Sequence, residues 1–130
     1  GIFNGSIVYW DDPAIASTNP GAPLPHGAIV PVVRNTSAGS TFIFSTALSS
    51  FSEEWNQTYG AADTIEWTLP NDIIVSGNED MVDHVGHVDY SIGYIVTSPS
   101  LFSKVSIRVA QMLNENGFAI LPQYSTTEAA

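Results

Sequence analysis

Two uninterrupted apolar runs restrict what this chain can fold into: AIVPVV at 28–33 and SIGYIV at 91–96. Neither alternates polar with apolar residues. Each therefore reads as a strand covered on both faces, as in a sheet layered between helices. The segments between them have helical period. Phe44, Leu48, Phe51 and Trp55 predict one apolar stripe across one or two helices, and Ser52 followed by Glu53 and Glu54 marks a fresh helix start. NEDMVDHVGHV, 78–88, is a further helix, with Met81, Val85 and Val88 on one face and Asp80, His84 and His87 on another. Strands alternating with helices predict an α/β fold with a mixed, mostly parallel sheet.

The flanking segments are shorter. Ile2 and Phe3 before Asn4-Gly5 read as a last helical turn closed by Gly5, and DDPAIAST as a short helix with Asp12 as N-cap and Pro13 at its first position. DTIEWTLP, 63–70, fits a short strand or a loop. KVSIRVAQML alternates at Val105, Ile107 and Val109, which predicts a strand with one covered face. Asn116-Gly117 predicts a tight turn, after which FAIL pairs back antiparallel. Ser125 and Glu128 have capping-box spacing, so a helix is expected to start there.

Charge and composition remove several classes of function. With 13 acidic and 3 basic residues the net charge is −10, and Arg34, Lys104 and Arg108 cannot build a basic patch for nucleic acid or for an anionic membrane. The chain has no cysteine, which removes disulfides, thiolate zinc sites and cysteine nucleophiles together. No nucleophile elbow, phosphate loop of the nucleotide-binding type or dinucleotide fingerprint is present, so neither an enzyme nor a cofactor is expected. At 130 residues and 44% hydrophobic, the chain suffices for one domain with a real core. Trp10, Trp55 and Trp67 are expected as core anchors.

A small anion remains compatible with an acidic protein, since one arginine and a helix N-terminus can hold it. VVRNTSAGSTFIF, 32–44, has the required order: apolar strand, arginine, small-residue turn, helix. A dianion stripped of water needs donors in its place. Arg34, the backbone N–H of Ala38, Gly39, and the hydroxyls of Ser37 and Ser40 are the candidates. The alternative is a plain helix-capping loop whose arginine pairs with a carboxylate. Asp80, His84 and His87, at i, i+4 and i+7, are a weaker candidate set for a divalent metal, against the simpler reading of a solvated polar face.

Several segments in order resemble the second lobe of the periplasmic phosphate-binding proteins of bacterial ABC transporters. IFNGSIVYWDDPAIASTNPGAPLP is similar to that family's helix end, Trp-Asx-Asp-Pro helix and Asn-Pro-Gly loop. VVRNTSAGSTFIF falls on its ligand loop, and SEEW and VSGNEDMVDHVGHVDYSIGYI on its later helices and strand. The resemblance implies one lobe of a type II periplasmic-binding-protein fold. The family's ligand loop runs Arg-x-Asp-Gly-Ser-Gly-Thr; the same places here hold Arg34, Asn35, Thr36, Ser37, Ala38, Gly39 and Ser40. Arg34 and Gly39 are kept, and Ser40 keeps a hydroxyl. Thr36 replaces the aspartate that braces the arginine, which is expected to free Arg34 to swing and to leave it locally more positive. Ala38 replaces a serine that gives its hydroxyl to the ligand.

The expected organisation is a single lobe over 1–130, excised from a larger two-lobed chain whose first lobe supplies the other half of the clamp. The expected ligand is phosphate or a related inorganic oxyanion. The expected setting is extracytoplasmic: periplasmic, secreted, or the ectodomain of a membrane protein, as transporter component or sensor. The alternative is a repurposed lobe with a decayed anion site, serving as a structural or protein-interaction domain. The exposed cleft face is then a candidate homo-oligomer contact. Sequons at Asn4, Asn35 and Asn56 would carry glycans only after eukaryotic secretion, and a glycan on Asn35 would obstruct the cleft.

Overall fold

The computed structural model describes residues 1–96, 99–103, 105–113, 116 and 118–120. A 3₁₀ turn, Ile2–Asn4, closes on Gly5 at φ 84°, a left-handed position that glycine adopts without strain. Helix α1, Pro13–Ala16, starts as the sequence predicts, with the Asp12 carboxylate accepting from the Ala14 N–H at 2.9 Å.

Among the described residues the main sheet is parallel and three-stranded. Strand β1, Val30–Arg34, lies in the centre, flanked by β2, Ile73–Val75, and β3, Ser91–Ile92. Val32, Val33 and Arg34 pair with Ile73, Ile74 and Val75, and Val30 and Pro31 with Ser91 and Ile92. Val32 and Val33 have no exposed surface, as the continuous apolar run requires. Helices α2, Gly39–Phe51, and α3, Glu53–Thr58, connect β1 to β2; helix α4, Asn78–His87, connects β2 to β3 and packs on β1 and β3. Helix α5, Pro99–Phe102, lies against α4. A separate antiparallel pair joins β4, Met112–Leu113, to β5, Ala119–Ile120.

The core gathers Phe3, Val32, Val33, Trp55, Ile65, Leu69, Val75, Met81 and Tyr94. Its aromatic part is a chain of ring contacts. Phe3 meets Phe44 edge-on at 4.8 Å, and Phe44 stacks on Tyr94 at 4.6 Å. Trp67 reaches both Trp55 at 6.0 Å and Tyr94 at 6.2 Å. Such pairs each contribute about 0.5–1.5 kcal/mol beyond the area they bury. Trp55 is a core anchor and Trp67 packs against the core, while Trp10 is half-buried and donates its Nε1–H to the Tyr90 carbonyl at 2.9 Å.

Four expectations change. Strand β2 lies in NDIIVSG, which the sequence reading left unassigned; its pattern shows little because Ile74 is 53% exposed on an edge strand. SIGYIV is not a buried strand throughout: only Ser91 and Ile92 join the ladder, both half-buried, while Tyr94 is buried beyond its end. Among the described residues, 105–111 carry no strand despite their alternation, and the ladder begins at Met112. Phe51 leaves the predicted stripe and is 49% exposed, since α2 stops at Ser52 and α3 starts in a new direction. The antiparallel return after Asn116 is as predicted. The expected helix start at Ser125 lies outside the described residues.

Candidate functional site

Parallel α/β sheets place ligands at the carboxyl ends of their strands, where the connecting helices begin. Here Arg34 ends β1 beside Val75, its register partner at the end of β2. Helix α2 starts at Gly39 and helix α4 at Asn78, so two helix N-termini rise from this one edge. Neither has a side-chain cap. Their N-cap residues, Ala38 and Gly77, offer no side-chain hydrogen bond to the first turn, whereas α1 and α3 are capped by the side chains of Asp12 and Ser52. Gly39 is exposed, and a Cβ on it or on Gly77 would meet nothing within 4 Å, so both starts face open space.

Arg34 has a brace of another kind in place of the missing aspartate. Its Nη1 donates to Asn78 Oδ1 at 3.2 Å, and its Nη2 to Thr36 Oγ1 at 3.3 Å and the Ser76 carbonyl at 3.2 Å. Thr36 in turn donates to the same Ser76 carbonyl at 3.2 Å. All three acceptors are neutral, and none of the ion pairs among the described residues includes Arg34. The guanidinium is held, and among the described residues no carboxylate pairs with its charge. Its Nε is buried without a hydrogen-bond partner among the described residues, an unusual state for a charged donor.

The backbone of the strand end is tied to the helix start through one phenol. The Arg34 N–H donates to Tyr94 Oη at 3.1 Å, and Tyr94 Oη lies 2.9 Å from Thr41 Oγ1, in the first turn of α2. The Arg34 carbonyl accepts from Trp67 Nε1 at 3.1 Å. Asp63 holds the connecting loop: its carboxylate accepts from Ser37 Oγ at 3.0 Å and its carbonyl from the Ala38 N–H at 3.0 Å. Ser40 is buried. Arg34 and Gly39 thus both lie on the carboxyl edge, while Ser37 and the Ala38 N–H are engaged with Asp63.

Sequence reasoning missed Asp63, Ser76, Asn78 and Tyr94. Three of them reach Arg34 from 42 to 60 residues away, distances at which no local pattern reports contact. The one available signal was Gly77-Asn78, a glycine and a capping-type residue opening a helix straight after an apolar run.

The Asp80, His84 and His87 set does not converge. His84 Nδ1 lies 3.1 Å from the Asp80 carboxylate, but His87 Nδ1 turns to Asp83 at 3.3 Å. Among the described residues no group of three or more potential ligands gathers. Two surface hollows lie apart from Arg34: about 280 Å³ beside Asn4, Glu54, Trp55 and Tyr59, and about 460 Å³ beside Asp80, Asp83, Leu101 and Val105. No helix of the described residues is long and apolar enough to cross a membrane.

A parallel sheet flanked by helices, with an arginine and two open helix starts at its carboxyl edge, defines an α/β lobe of the periplasmic-binding-protein kind. No protein-family model matches the chain. Among curated proteins it is similar to the phosphate-binding protein PstS of Methanocaldococcus jannaschii, 37% identical over 134 residues, covering 99% of this chain and 34% of the relative. PstS of Xylella fastidiosa is 37% identical over 129 residues with the same coverage. PstS of Pasteurella multocida is 43% identical over 94 residues, 72% of this chain and 27% of its own. The chain is a PstS-like segment, and it spans about a third of the length of these relatives.

Proposed function

We propose that this chain is one lobe of a two-lobed binding protein that captures phosphate or a similar tetrahedral oxyanion outside the cytoplasm, for a transporter or as a sensor domain. Arg34 is the charged anchor, and the backbone of Gly39 and Ser40 at the start of α2 supplies orphan N–H donors, with the Ser40 hydroxyl beside them. Ser37 and the Ala38 N–H shape the loop and join the ligand only if Asp63 releases them. The observation that carries this reading is the pairing of a fixed, uncancelled arginine with uncapped helix starts on the carboxyl edge of the sheet. The names of the relatives agree with it.

This lobe would contribute half of a clamp, and the first lobe the remainder. Calorimetric titration of the full-length protein with inorganic phosphate tests the reading. We expect binding that Arg34→Ala weakens by at least 30-fold, since removing one partner of a desolvated charge pair costs about 2–5 kcal/mol. No heat at millimolar phosphate, or an unchanged affinity in Arg34→Ala, sinks it.

A second reading has its own observation. Asp63 already occupies the Ser37 hydroxyl and the Ala38 N–H, which suits a lobe whose anion site has decayed and whose cleft face now meets protein, a second copy included. Asp63→Ala separates the two: it frees the Ser37 hydroxyl, while the Ala38 N–H stays on the backbone carbonyl of residue 63, and it tightens phosphate binding in a working cradle but leaves a decayed one silent.

A further inference from the structure

The brace of Arg34 is built from neutral atoms, and that choice has a chemical consequence. A carboxylate brace would hold the guanidinium and also neutralise it. Asn78 Oδ1, Thr36 Oγ1 and the Ser76 carbonyl hold it at 3.2–3.3 Å without adding charge. The acidic group nearest in the loop's bonding, Asp63, is committed to Ser37 Oγ at 3.0 Å and Thr64 Oγ1 at 3.2 Å. An arginine offers five N–H donors. The three bonds to the brace leave the Nε–H and one Nη1–H without a partner among the described residues.

We propose that Asn78, with Thr36 and the Ser76 carbonyl, is a neutral clamp that fixes Arg34 while keeping its full charge for a dianionic tetrahedral oxyanion. Asn78 is thus a positioning residue contributed by α4, an element the loop motif does not include. The clamp rests on the reading of Arg34 as the anion anchor. Its logic is Coulombic: a carboxylate a few ångströms from both the guanidinium and the ligand repels the second as it cancels the first, and at the carboxyl edge solvent screens only part of that.

The proposal separates two roles that usually move together. Asn78→Asp keeps an acceptor oxygen at the same place and adds a negative charge at the first position of α4, where the helix dipole favours it. We expect the melting temperature to rise or hold, while the dissociation constants for phosphate and for sulfate both weaken roughly tenfold. A role confined to stability predicts the reverse pairing. Asn78→Ala removes the acceptor and should weaken binding through loss of position.

The Arg34 Nε–H resonance reports the clamp without any ligand. The chain has only two arginines, so Arg34→Ala assigns it. We expect slow hydrogen exchange in the wild type and in Asn78→Asp, and fast exchange in Asn78→Ala. If Asn78→Asp binds phosphate as tightly as the wild type, or if Asn78→Ala leaves the Nε–H exchange unchanged, the clamp is overturned. If neither the wild type nor any variant binds phosphate while the Nε–H behaves as expected, Asn78 braces Arg34 but the phosphate reading falls, and the charge-keeping role falls with it.

Discussion

Tyr94 shows how much one side chain settles in this protein. It is 7% exposed, stacks on Phe44, and places its hydroxyl between the Arg34 N–H and Thr41 Oγ1. Removing that oxygen leaves two polar groups without a partner while the ring still packs. Tyr94→Phe should therefore cost about 1–3 kcal/mol in urea unfolding, with an unchanged m-value. Ser45 is a similar case. It has no exposed surface, and its hydroxyl sits 2.9 Å from both the N–H and the carbonyl of Ala62, joining α2 to the loop that carries Asp63. Ser45→Ala should destabilise the fold by a comparable amount, read by the same unfolding curve, because the Ala62 groups lose their partner.

At the scale of elements, the helices divide by what their first turns do. Ser52 caps α3 by accepting from the Trp55 N–H at 3.2 Å, and Glu53 and Glu54 sit where the dipole favours them. Ser52→Ala should lower stability by about 1 kcal/mol without touching anion binding, as calorimetry of both would show. The starts of α2 and α4 lack this protection and are held by tertiary contacts instead. Helix α4 is seated through Gly93, where a Cβ would lie 2.5 Å from Met81 Sδ and 3.0 Å from Val85 Cγ2. Met81 is 1% exposed and has little room to retreat. Gly93→Ala should destabilise by about 1–3 kcal/mol in thermal unfolding through overpacking. It should also disturb Arg34, because α4 carries Asn78.

For the whole molecule, charge is the dominant fact. A net charge of −10 spread over 130 residues means self-repulsion in the folded state. Stability should rise as sodium chloride is raised from about 10 to 150 mM, over which the Debye length shortens from about 30 to 8 Å. A melting curve at each salt concentration checks this, and a flat or falling trend argues against it. On the proposed reading, the field of this lobe opposes an anion's approach, so phosphate association should be faster at higher salt.

The sequence determined what is local. Continuous apolar runs marked β1 and part of β3, caps marked α1 and α3, and the turn at Asn116 marked the antiparallel return, because each depends on neighbours within a few residues. The placing of Arg34 between a strand and a helix start was legible for the same reason: strand, arginine, small residues and helix are contiguous. Alternation at Val105–Val109 carries no strand among the described residues, because periodicity reports a face that could be covered and not which residues join a ladder. Strand β2, the bracing of Arg34 by Ser76 and Asn78, the Tyr94 bridge and the Asp63 staple were decided only in the tertiary structure. Parallel strands pair only after a helix has crossed over, so the groups that meet at their carboxyl edge come from distant parts of the chain, and no window of sequence contains both partners.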